Sequence, residues 1–133
     1  KLNFNMLSTK IVFLFILSFF SIVFIQSGLD KVLDKQGNLS FLMDLLKETF
    51  SEGLIKLAFY SVTLLELFSG FLCLAGIAQG LLSESSKIGQ AGLIIGSVAL
   101  LVLLFGQRLS KNYDGAKTIT IYFILSMIGL ALV

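Results

Sequence analysis

Four long apolar runs, at 11–29, 54–78, 88–105 and 118–133, limit what this chain can fold into more than any other feature. A bilayer core takes about 20 residues of helix, and each run is near that length. A strand reading fails. The runs show no polar alternation, and a lipid-exposed segment must satisfy its own backbone hydrogen bonds, which a helix does internally. The last run is the shortest, and starting it at residue 116 brings it closer to a full span. The expected fold is an all-α integral membrane four-helix bundle, one transmembrane domain over 1–133 with spans at about 11–29, 54–78, 88–105 and 116–133.

Composition agrees with this reading. Hydrophobic residues make up 56% of the chain and charged residues 14%, where a soluble domain is about a quarter charged. In 133 residues the spans leave no room for a separate soluble catalytic domain. Ten basic against eight acidic residues give a net charge of +2, too small and too evenly divided for a nucleic-acid surface. One cysteine, Cys73, allows no internal disulfide, and the absence of histidine removes the common imidazole ligand to haem or zinc. No metal site, catalytic residue or cofactor is therefore assigned within this chain. The absence of proline points to fairly straight helices. The first run has Lys10 before it but no small-residue cleavage site after it, so it reads as a retained span and not a signal peptide. The chain opens on Lys1 and stops at Val133 inside an apolar run, so residues could lie beyond either end.

The connection at 30–53 carries its own pattern. Asn38 can cap a helix. After it, Leu39, Leu42, Met43, Leu46 and Phe50 fall on one face, and Ser40, Asp44, Lys47, Glu48 and Ser51 on the other. This predicts a short amphipathic helix at about 39–50, lying on the membrane surface between the first and second spans or packed on the bundle ends. Gly76 and Gly80 are spaced one helical turn apart, as are Gly92 and Gly96, with Gly89 just before them and Ser126 and Gly129 in the last run. Such positions mark faces of close helix approach, within the chain or in a homo-oligomer formed through the glycine faces. A four-span path places Lys1, Lys10 and Lys87 on one side and Lys31, Lys35, Lys47, Lys56, Arg108, Lys111 and Lys117 on the other, which favours cytoplasmic first and third loops.

Glu66 sits midway through the second run. A charged carboxylate there costs about 2.5–3.5 kcal/mol on insertion scales, so it should face the interior and be protonated or paired. It either handles protons, binds a ligand, or fixes helix packing. Its possible partners are Lys31, whose stem is long enough to reach inward, Gln107 and Arg108. Tyr60, about two turns before Glu66, and Gln26 are further ligand-binding or proton-handling candidates, although an interfacial anchor is the commoner role for such a tyrosine. Cys73 reads as a small buried hydrophobe. The phenylalanines read as lipid-facing or core mass.

Three stretches together resemble the DoxX family of four-helix bacterial inner-membrane proteins, named after a small subunit of a terminal quinol oxidase. The stretch 24–33, with Phe24, Gly28 and Lys31, is similar to the family's aromatic, glycine and lysine pattern. The stretch 66–76 is similar to its Glu-x-x-x-Gly run, here Glu66 and Gly70, ending in Gly76. The stretch 105–116, Phe105 to Ala116, is similar to the loop that introduces the last helix. The resemblance implies a multi-pass protein of the bacterial inner (cytoplasmic) membrane, in a respiratory or redox assembly with quinone as small-molecule neighbour. Lacking histidine or a cysteine pair, the chain would leave electron transfer to cofactors on other membrane-protein subunits. The expected function is thus an auxiliary integral subunit of such a complex. The alternatives are a direct contribution to a quinone-binding site, or a small proton or solute transporter built on Glu66.

Overall fold

Regular structure begins where a side chain can take up free helix N–H groups, and ends where a turn can take up the last carbonyls. The computed structural model describes residues 4–133, all of whose regular elements are helices: α1 (Phe4–Leu33), α2 (Lys35–Leu46), α3 (Glu52–Leu82), α4 (Lys87–Leu109) and α5 (Tyr113–Ala131). By length and composition α1, α3, α4 and α5 could each cross a membrane. These helices extend beyond the apolar runs because capping comes from the polar flanks. Asp34 accepts from Gly37 N at 3.3 Å and starts α2, and Ser51 accepts from Leu54 N at 3.3 Å and starts α3.

Helix α2 fits the short helix expected between the first two spans, but its cap differs. Asp34 caps it, and Asn38 lies inside its first turns, donating to the Asp34 carbonyl at 2.9 Å. The helix therefore starts at Lys35 and ends at Leu46, where the Lys47–Phe50 segment turns toward α3.

Helix α3 packs along α1 on one side and α4 on the other, and α5 lies against α4. The small residues set these approaches. A Cβ on Gly76 would lie 2.5 Å from the Gly89 Cα, and one on Gly92 would lie 2.9 Å from the Cys73 nitrogen. Three hydroxyls lie on the seams: Ser69 donates to the Gly92 carbonyl at 2.7 Å between α3 and α4, and Ser97 and Ser126 lie 3.0 Å apart between α4 and α5. Around them, Phe13, Ile16, Leu17, Phe20 and Phe24 of α1 meet Cys73, Leu93, Leu100 and Ile119 in the buried core, with Phe20 and Phe24 stacked at 5.3 Å between centroids. The phenylalanines divide between core and surface, and Phe15 on α1 is 72% exposed.

Candidate functional site

The site starts from two residues one turn apart on α1. Ser27 and Lys31 stand on the same face by helical spacing, and that face meets α3 where both backbones approach closely. A Cβ on Gly28 would lie 2.6 Å from the Leu67 side chain, and one on Gly70 would lie 2.9 Å from the Ile25 nitrogen. Glu66 on α3 adjoins Leu67 at the first of these crossings. Ser27 Oγ donates to Glu66 Oε2 at 2.8 Å, and Lys31 Nζ donates to Ser27 Oγ at 2.8 Å. The Lys31 ammonium also sits 2.9 Å from Glu66 Oε1. This approach makes the contact an ion pair in which the ammonium faces Oε1.

Burial of the pair is unequal. The Glu66 side chain is 3% exposed and that of Lys31 18%, because the lysine stem reaches inward from the end of α1. Burying a carboxylate is costly unless a cation and hydrogen bonds accompany it, and here Lys31 and Ser27 supply one of each.

Beyond Lys31 opens a cavity of about 230 Å³ between α2, α3 and the end of α4. Its walls are mainly apolar, with Phe41, Leu42 and Leu46 from α2 and Phe59 and Val62 from α3. The polar groups on it are Lys31, Asn38, Gln107, Ser110 and Asn112. The Gln107 Oε1 is buried and accepts no hydrogen bond from the described residues. The Nε2 end of its amide lies against the first turn of α5, where a Cβ on Gly115 would lie 2.7 Å away. No family model, curated protein or solved structure matches this chain.

Of the residues singled out in the sequence, Glu66 and Lys31 are brought into contact, and Gln107 shares the cavity wall with Lys31. Arg108 is turned elsewhere, with its guanidinium 4.8 Å from the centre of the Tyr113 ring. Tyr60 is 45% exposed and lies under the Lys35 ammonium at 5.0 Å, off the cavity wall. Gln26 is exposed and lines a shallow groove with Asp30 and Leu74. Cys73 is fully buried beside Gly92. Ser27 was not among the predicted site residues, and its one-turn spacing from Lys31 gains meaning only from the register of α1 on α3.

Proposed function

We propose that the chain is a multi-pass four-helix bundle of a bacterial inner membrane, of DoxX type, and serves there as an auxiliary integral subunit of a respiratory or quinone-linked complex. The observation that carries this is the Ser27–Lys31–Glu66 cluster. It holds a buried charge pair together with groups from the same chain, beside an apolar cavity, in a sequence without histidine. Such a centre can shape a binding site or fix packing, while redox chemistry falls to other subunits. The membrane reading is supported by the outward-facing apolar side chains, among them Ile22, Leu64, Phe68, Leu101 and Ile121, each at least half exposed. Lipid would cover these.

Extraction of the tagged protein from its native membrane in mild detergent tests this reading. Stoichiometric recovery of oxidase or dehydrogenase subunits is expected. A homogeneous bare chain or homo-oligomer would overturn the auxiliary role.

A second reading, that the chain itself shapes a quinone-type pocket, is favoured by the cavity that Lys31 and Gln107 share. Sites of this kind are mostly apolar with a few convergent polar groups. In this reading Lys31 and Gln107 take the places first considered for Tyr60 and Gln26. A transporter built on Glu66 has less support, because its carboxylate is already held by two partners and intramembrane relays commonly use chains of such groups.

A further inference from the structure

One buried side-chain oxygen on the cavity wall, Gln107 Oε1, accepts no hydrogen bond from the described residues, whereas Glu66 Oε1 is met by the Lys31 ammonium at 2.9 Å. Leaving a buried acceptor unsatisfied is unfavourable. Gln107 shares the cavity wall with Lys31, whose ammonium is already turned to Ser27 and Glu66. Gln107 Oε1 therefore lacks a hydrogen-bond donor.

The chemistry of an occupant follows from this deficit. It must bring an O–H or N–H. It should carry no net charge, because the Lys31–Glu66 pair is already neutral and an extra charge between mainly apolar walls would have no counter-ion. The about 230 Å³ of space exceeds the ~150 Å³ in which an engineered apolar cavity holds benzene, so one substituted six-membered ring fits. Phe41 and Phe59 supply aromatic wall for such a ring. Phe41, 62% exposed, also marks the side on which an apolar tail could leave.

We infer that this cavity binds the hydroxyl end of a neutral phenolic amphiphile, in preference to the same ring bearing an ether or carbonyl oxygen there. This rests on the second reading above and deepens it: in a quinone-linked complex the pocket would favour the reduced, hydroxyl-bearing carrier. The phenolic O–H donates to Gln107 Oε1, and its oxygen can accept from the remaining N–H of Lys31.

The test uses 4-nonylphenol and its methyl ether, 4-nonylanisole, which differ at the donor and need no redox control. Each is titrated into the purified full chain in dodecylmaltoside, and thermal unfolding is followed by the exposure of buried Cys73 to a thiol-reactive dye. A ligand that binds the folded state raises the midpoint saturably. The phenol is expected to half-saturate at a concentration roughly ten-fold below that of the ether, the ratio corresponding to ~1.4 kcal/mol. Gln107→Leu should remove that advantage, and Ala58→Phe, which fills the cavity from α3, should abolish binding of both compounds. Equal binding of phenol and ether overturns the inference, as does no binding by either, which would leave the cavity to water. A preference for phenol that survives Ala58→Phe places the site elsewhere and also overturns it. Because no other subunit is needed, recovery of a bare chain from native membranes would defeat the auxiliary role and leave this result untouched. Equal binding of both compounds would leave the pocket reading standing and remove only the donor rule.

Discussion

At Glu66 the loss of hydration competes with what Ser27 and Lys31 return, and the balance depends on both partners being present. Removing one leaves a buried charge unpaired, which costs about 3–5 kcal/mol, whereas replacing both by apolar groups can be neutral or better. Lys31→Met should therefore destabilise the protein by an amount in that range, and Lys31→Met combined with Glu66→Leu should recover most of it. SDS-induced unfolding of the purified protein measures both. Simple additivity of the two single substitutions would mean that the pair contributes nothing. The depth of Glu66 in an apolar run and the reach of Lys31 were legible in the sequence, so this contact could be anticipated. Ser27 was not, because a serine in an apolar helix more often bonds its own backbone, as Ser18 does to Leu14 and Ser97 to Leu93. What sets Ser27 apart is the register of α1 on α3 at Gly28 and Gly70, and a single sequence does not report register.

Among the elements, the seam of α3 and α4 has the least tolerance. Gly76→Leu would drive a side chain into the backbone at Gly89, and overpacking of this kind costs about 1–3 kcal/mol or more. Gly53→Ala, in the first turn of α3 with nothing within 4 Å of an added Cβ, should be neutral or mildly stabilising. Thermal unfolding in detergent separates the two, and equal effects would refute the close-approach account. The turn from α4 to α5 has a different strain. Lys111 holds φ at 61°, where left-handed backbone suits glycine, while Asn112 N bonds back to the Gln107 carbonyl at 2.9 Å. Lys111→Gly should therefore raise stability by about 1 kcal/mol, read as a higher unfolding midpoint. The one-turn spacing of glycines predicted faces of close approach, but not that Gly76, Gly80, Gly89, Gly92 and Gly96 would all be buried against helices of the same chain. The apolar periodicity of α2 was legible too. Its start was displaced to Lys35 because a turn-forming aspartate, Asp34, outcompeted Asn38 for the cap.

For the molecule as a whole, the core and the outward-facing apolar side chains predict two bulk behaviours. Alkaline carbonate washing should leave the protein in the membrane pellet, and release into the supernatant would count against a spanning fold. Cys73, 0% exposed, should resist a maleimide in mild detergent and react quickly in SDS. Rapid labelling in both would contradict the packing of α3 on α4. The number of long helices was legible because each apolar run could be measured separately against the length of a membrane-crossing helix. The cavity was not, since its walls come from α2, α3 and the end of α4, which meet only after folding. The Lys31–Glu66 contact also bears on biogenesis. Lys31 is synthesised a whole segment ahead of Glu66, so on a spanning path α1 is already at the membrane when α3 emerges with its carboxylate. The older helix can then act as a receptor for the younger one, drawing in a segment that would enter lipid poorly alone and giving the order of translation a role in the arrangement of the finished protein.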